Sequence, residues 1–316
     1  LVQIYRNGAP DAVRVYNTPI RANEFLNRDL GMYVQDQWTL KRVTINAGLR
    51  FESFNARIKS QLSNPGRFAP ERTFPETPNL PNWFDVAPRL GVSYDVFGNA
   101  RTAIKGSVGR YMAGQALGFP QRYNPLQLAS DTRTWRDLNG DNVAQDNEIG
   151  PSNNAAFGLP VVTRRPDPDI QREYDIEYTA QLQHQVLNGL SVNAGYFRRT
   201  RHDQVLTNYT GITDADFTVV NVVSPLDGAV IPVYNLNPAK RASVDRLDTN
   251  SPDTNLRRRT YNGVQVGFNA RVAGAQFFGG WTVDRIVTVQ CDTILNPAVV
   301  SPTPFTDRHF CDQSQL

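Results

Sequence analysis

Two runs of about ten residues, each alternating with a period of two and joined by almost nothing, leave this chain few ways to fold. They occupy residues 31–52, GMYVQDQWTLKRVTINAGLRFE. In the second run Val43, Ile45, Ala47, Leu49 and Phe51 alternate with Thr44, Asn46, Gly48, Arg50 and Glu52. In the first, Met32, Val34, Trp38 and Leu40 share a face that Asp36 interrupts, opposite Tyr33, Gln35, Gln37 and Thr39. A period of two is that of a β-strand with one apolar and one polar face. The apolar face is aliphatic in the middle and carries Trp38 and Phe51 near its ends. Strands of roughly 9–11 tilted residues with aromatics at both interfaces can cross a bilayer. A surface hairpin of a soluble β-sandwich shows the same alternation, so this stretch alone leaves both architectures open.

The rest of the chain repeats the theme. A weaker pair, residues 1–5 and 13–16, flanks the turn-rich Asn7-Gly8-Ala9-Pro10-Asp11, and residues 17–30 read as a connection. Leu90, Val92, Tyr94 and Val96 alternate with polar neighbours, turn at Phe97-Gly98-Asn99, and return through Thr102, Ile104, Gly106 and Val108. A third hairpin sets Tyr174, Ile176, Tyr178, Ala180 and Leu182 against Asp175, Glu177, Thr179, Gln181 and Gln183, and turns at Leu187-Asn188-Gly189. A fourth runs Val264, Val266, Phe268, Ala270 and Val272 into the turn Ala273-Gly274-Ala275. A polar face so rich in Gln, Asp and Glu looks into water.

Between the hairpins lie residues 55–84, 112–170 and 198–259, loops of about 30 to 60 residues. Pro65, Pro70, Pro75, Pro78 and Pro81 forbid a central strand in the first. Structureless loops that long are uncommon in compact soluble domains. Tight turns on one side and long loops on the other are the pattern of outer-membrane barrels. The chain therefore reads as all-β: an antiparallel transmembrane β-barrel, about ten strands of a larger one, with short periplasmic turns and long extracellular loops. No run of eighteen apolar residues marks a membrane helix, and barrel strands need none. With 33 basic against 30 acidic residues and no basic run interleaved with aromatics, nothing points to nucleic acid. Neither end reads as a natural terminus, which suggests an internal piece of a longer protein.

Residues 31–52, the run APRLGVSYD at 87–95 and RTAIKGSVGRY at 101–111 together resemble the barrel of TonB-dependent outer-membrane receptors. The likeness is greatest to the branch with an N-terminal carboxypeptidase-regulatory-like domain, often called Oar-like. It covers most of the chain through its hairpins and is weakest in the long loops. It implies a barrel of about 22 strands with a plugged lumen, a plug domain and a TonB-contact segment that these residues do not include. It also implies a bacterial outer-membrane location, outer-membrane lipid around the barrel, and energised uptake of a small molecule, glycan or peptide.

Three local features carry candidate chemistry. Asp137, Asn139, Asp141, Val143, Gln145 and Glu148 have the spacing of a calcium loop of EF-hand type, within residues 137–148 of the 112–170 loop. Hard Ca²⁺ takes such a set of carboxylate and carbonyl oxygens. Asn142 holds the position where that loop usually needs Gly, and Asn tolerates the left-handed conformation. An acidic solvated turn is the competing reading. Cys291 and Cys311, the only cysteines, read as a disulfide in an exported protein; free thiols are the alternative. Arginines open and close the 198–259 loop (Arg198, Arg199, Arg201; Arg257, Arg258, Arg259) and suit anionic substrate or lipopolysaccharide phosphates.

His184, His202 and His309 are isolated, and no catalytic constellation is visible, so the chain does not read as an enzyme. Trp83, Trp135, Tyr123, Tyr209 and Tyr234 are loop aromatics that suit stacking on a ligand. The leading expectation is a receptor and transporter barrel. An adhesion or surface-assembly protein on the same barrel, and a soluble calcium-dependent carbohydrate-binding sandwich, are the competing ones.

Overall fold

The computed structural model describes the chain except residues 153, 155, 161, 163, 244, 252–255, 293–298, 301–310 and 316. The alternating runs become eight long strands: β1 (Glu24–Leu40), β2 (Val43–Ile58), β3 (Asn82–Asp95), β4 (Thr102–Met112), β5 (Tyr174–Leu187), β6 (Leu190–His202), β7 (Arg257–Val272) and β8 (Ala275–Gln290). Each pairs antiparallel with its sequence neighbours, giving one sheet with β1 and β8 at its edges. The sheet is an open portion of a barrel wall.

The hairpin turns form where the chain tolerates positive φ: Lys41 (53°), Gly98 (72°), Gly189 (85°) and Gly274 (84°). At Gly189 a Cβ would stand 2.6 Å from the carbonyl oxygen of Arg271 on β7, so glycine is required twice over.

The register keeps the two faces apart across all eight strands. Trp38, Ile45, Val92, Gly106, Ala180, Tyr196, Val264 and Val283 lie side by side in one cross-strand row. One residue further along each strand, Gln37, Asn46, Gly91, Ser107, Thr179, Phe197, Gly263 and Asp284 form a row on the other face. Val34 is 61% exposed, Val264 50% and Trp281 69%. An apolar face this continuous far exceeds what a water-soluble surface carries; lipid is its natural solvent. The polar face is the lumen wall.

The long loops are folded, which corrects the reading of them as irregular. Residues 59–81, 113–173 and 203–256 carry short strands of their own. Val205–Thr210 and Asp245–Asn250 pair antiparallel, Arg164–Pro166 adds in parallel, and Phe217–Val223 pairs with Val230–Leu236. Two hydrophobic cores hold them. One gathers Phe54, Ile58, Leu80, Trp83, Phe119, Tyr123 and Ile170 over the far ends of β2 and β3. The other gathers Val13, Val15, Trp135, Ala144 and Phe157. The N-terminal pair, Val2–Arg6 with Ala9–Tyr16, is not in the barrel sheet. It pairs with Ser130–Thr134 and belongs to this cap, so the sheet has eight strands where the sequence suggested about ten. β1 begins at Glu24, so half of the expected connection over 17–30 is strand.

Asp248, fully buried, ties the cap together. Its carboxylate accepts from the Tyr123 hydroxyl at 2.8 Å, the Thr207 hydroxyl at 2.8 Å and the Arg164 guanidinium at 2.9–3.1 Å. These residues come from the 113–173 and 203–256 segments. Burial and the neighbouring carboxylate raise the Tyr123 phenol above its ordinary range, so it stays a donor.

Two outcomes follow. Val266→Arg or Leu182→Arg, midway up the apolar face, should cost roughly 2–4 kcal/mol and abolish heat-modifiable migration on gels, whereas Gln265→Arg or Gln181→Arg on the lumen face should not. Ile45→Arg and Val192→Arg, two residues above their turns, should cost less. Asp248→Ala leaves the half-buried Arg164 guanidinium and the buried Tyr123 hydroxyl without their acceptor, a loss on the order of 1–3 kcal/mol. It should expose residues 113–173 and 203–256 to limited proteolysis while the barrel keeps its heat-modifiable band.

Candidate functional site

On the lumen face, alternation brings charged residues of three adjacent strands together: Asp175 and Glu177 of β5, Arg199 and Arg201 of β6, Arg259 and Tyr261 of β7. Arg199 grips Glu177 through two nitrogens, at 3.0 and 2.5 Å. Arg201 lies 3.3 Å from Asp175 and 3.7 Å from Glu173. The register sets Arg201 directly opposite Arg259. Like charges in that position repel, and among the described residues Arg259 has no carboxylate partner. Tyr261 reaches along its strand over Gly263, where a Cβ would meet its hydroxyl at 2.5 Å. Asp175, Arg199, Arg201, Arg259, Tyr261 and Ile286 enclose a cavity of about 290 Å³. Two paired guanidiniums, one guanidinium without a carboxylate partner and a phenol line it, beside the Asp175 carboxylate, and these are groups that can hydrogen-bond an anion.

At the mouth above β2 and β3, a second cluster fixes the cap. Arg172, buried, donates to Glu52 at 2.7 Å and Asp85 at 3.4 Å, and its Nε donates to the Ala113 carbonyl at 2.7 Å. Arg50 holds the other oxygen of Glu52 at 2.5 Å.

The arginines at the ends of the 198–259 segment are therefore strand residues, not a loop base, and they divide between faces. Arg199, Arg201 and Arg259 point into the lumen and Arg198 points outward. Arg257 is buried and bonded to Asp292 at 2.6 and 3.0 Å.

In the 137–148 segment the candidate ligands close the loop on itself. Asp137 accepts the amides of Gly140 (2.8 Å) and Asn142 (2.9 Å). Asp141 accepts the Val143 amide at 2.8 Å and the side chains of Gln145 at 2.6 Å and Asn139 at 3.0 Å. Glu148, buried, accepts the amides of Leu138 and Gln145 and the Trp135 indole. Asn142 does stand at φ 58°. Among the described residues no three His, Cys, Asp or Glu groups converge on a metal-sized space. In this arrangement the loop's own donors engage the carboxylates of Asp137, Asp141 and Glu148.

The Val143 amide, with Gln145 and Asn139, holds the Asp141 carboxyl below its ordinary range. A carboxylate lowered on folding stabilises the loop at neutral pH and releases it as pH falls through the folded pKa.

Cys291 and Cys311 are bonded, with Cα atoms 4.9 Å apart, and Asp312 bridges to Val289 on the edge strand β8. His184 hydrogen-bonds Thr102 at 2.9 Å on the apolar face, and His202 stacks on Tyr174 at 5.1 Å. His309 lies outside the described residues. Trp83, Trp135 and Tyr123 are buried in the cap cores, so they build the cap and do not face a ligand; Tyr209 and Tyr234 are half-buried.

The outer membrane beta barrel domain family matches residues 6–307. The chain belongs to this family. This barrel is a protein of the bacterial outer membrane, which removes the soluble sandwich. No curated protein matches the sequence. Similar solved structures include the FrpB iron transporter from Neisseria meningitidis (F5-1 variant), 12% identical over 83% of this chain and 26% of that one, with a TM-score of 0.41. The siderophore receptor PiuA from Acinetobacter baumannii is 12% identical over 89% and 27%, with a TM-score of 0.42. The outer membrane transporter YddB from Escherichia coli is 10% identical over 81% and 33%, with a TM-score of 0.38. The barrel portion described here spans about a quarter to a third of the length of these proteins.

Since the 137–148 loop closes through its own hydrogen bonds, calcium chelation should leave the thermal midpoint of the full-length protein unchanged. A rise in midpoint on adding calcium, lost in Asp141→Ala, would show that the loop takes the ion.

Proposed function

We propose that this chain forms part of the barrel of a TonB-dependent receptor of the Oar-like branch, which captures an anionic nutrient beneath its extracellular cap and passes it inward. The observation that carries the reading is the lumen-facing cavity in which Arg259 lies opposite Arg201 without a carboxylate of its own. A barrel wall needs no unpaired cation there. An unpaired guanidinium that lines the same cavity as a phenol is suited to a carboxylate or phosphate group. The folded cap supports the same reading, because it places buried, ordered segments over the mouth. The energy would come through TonB, by way of a plug domain outside these residues. No step here needs bond chemistry, so the reading is of a carrier and not an enzyme.

The test is metabolite depletion. Cells expressing the full-length receptor, with and without TonB, are grown in defined medium and the medium is profiled by mass spectrometry. An acidic compound should disappear faster only when receptor and TonB are both present. Arg259→Ala should weaken its binding about tenfold or more, since a hydrogen bond to a charged group is worth roughly 1.5–3 kcal/mol. No TonB-dependent depletion, together with loss of surface attachment when the protein is removed, would favour the adhesion reading.

A further inference from the structure

The cap holds one piece of sheet that stands apart. Phe217–Val223 and Val230–Leu236 pair with each other, and among the described residues no third strand joins them. An isolated two-stranded hairpin is marginal in water. Neither strand carries a charge, and both faces are apolar: Val219, Val223 and Tyr234 on one, Val220, Val222 and Val233 on the other. Val220 is 46% exposed, Val223 62%, and Leu226 in the connecting turn 93%. An uncharged, exposed strand edge of this kind is a template for another strand.

The two edges of the hairpin differ. At its ends the Asn237 amide donates to the Asp216 carbonyl at 2.9 Å and the Ser224 amide to the Ala229 carbonyl at 2.8 Å. Bonded and non-bonded pairs alternate along an antiparallel ladder, and these two bonds fix the phase. Thr218, Val220 and Val222 therefore turn their amides and carbonyls inward, toward the other strand. Phe217, Val219, Asn221 and Val223 turn theirs outward. On the opposite edge the outward residues include Pro232, which pairs with Asn221 and has no N–H to offer. A proline so placed protects its edge from further pairing. The Phe217–Val223 edge has no such guard.

We infer that this edge pairs with the same edge of a second copy of the chain, antiparallel and about a two-fold axis through Val220. Setting Val220 against Val220 of the second copy puts Val219 against Asn221 and Phe217 against Val223. Every outward amide and carbonyl of the strand then meets one from the other copy. The parity is kept, so the apolar faces run on across the junction. Charge argues for a second copy over a different protein. Near a two-fold axis each residue lies close to its own image, and like charges directly opposite repel; a strand without charge is what a self-pair needs. The four-stranded sheet that results ends on both sides in a Val230–Leu236 strand with its Pro232, so pairing closes at two copies and does not propagate. The inference depends on the barrel being in a membrane, where copies already stand the same way up, and not on transport.

The test is cysteine cross-linking in intact cells that express the full-length protein, with the wild type under the same oxidant as the blank and heat-modifiable migration as the check on each barrel. Val220→Cys should give a covalent dimer on a non-reducing gel. Leu226→Cys, equally accessible but in the turn and off the axis, should give about tenfold less. Thr218→Cys and Val222→Cys should each give little alone and a mixed dimer when co-expressed, because the register sets those two residues opposite each other across the axis. Val219→Pro, added to Val220→Cys, removes one outward donor from each copy and leaves the hairpin's own ladder intact; it should cut the dimer about tenfold, the worth of two backbone hydrogen bonds. No dimer from folded Val220→Cys overturns the inference. So do equal yields from Val220→Cys and Leu226→Cys, and so does cross-linking of Val220→Cys to a different protein. If Val220→Cys does not fold, the Thr218→Cys and Val222→Cys pair decides by the same rule, and absence of the mixed dimer overturns it.

Discussion

In hydrocarbon every backbone amide and carbonyl must find its partner inside the protein, because there is no water to supply one. This single demand accounts for most of what the sheet looks like. Six of the eight strands are paired on both sides, and the two register shifts in the wall lie near strand ends, between Leu26 and Arg28 and between Gln185 and Leu187. With the backbone committed to the ladder, side chains have only two directions to go, and the strict period of two follows. The open edges of β1 and β8 are the exception. Their unpaired groups have to be covered by further strands for the wall to close.

Outside the membrane that demand lapses and a different one takes over. The cap stands in water, so its segments must bury apolar surface to hold any shape at all. They do so in two small cores, each built from pieces far apart in sequence. Trp83 of β3 meets Phe119 at 4.7 Å, and Trp135 meets Tyr5 at 5.4 Å. Polar pins then fix the orientation: Asp248 between two loops, and Arg172 between a loop and the upper ends of β2 and β3. The lumen cluster sits just below this junction. Its geometry is set by barrel strands, which are stiff, while access to it is set by the cap.

The division between lipid and water also explains what the sequence made legible. Where strands lie in the membrane, each face meets one solvent, and the alternation of Val43 through Glu52 or Val264 through Val272 can be read directly. The turns at Lys41, Gly98, Gly189 and Gly274 are as plain. Legibility stops where the strands leave the bilayer. Residues 24–30, EFLNRDL, show no clean alternation because neither face there meets a uniform medium. The cap strands Phe217–Val223 and Val230–Leu236 did carry a signal, β-branched runs on either side of Asp227-Gly228, but loop length outweighed it. The lumen cluster was half visible. Parity puts Arg199, Arg201 and Arg259 on one kind of face, but only the register sets Arg201 against Arg259. The 137–148 motif shows the opposite ambiguity. Asp and Asn at alternating loop positions serve a cation and serve backbone amides equally well, and spacing does not tell the two apart.

One consequence of Asp248 concerns how such a surface can change over time. The parts of a bacterium most exposed to phages, antibodies and competitors are the outermost loops. Here two of those loops are moored to each other by a few interior residues, and their tips are free of that duty. Substitutions at the tips can accumulate without loosening the mooring, so the cap can alter its outward appearance while the passage beneath it keeps its shape.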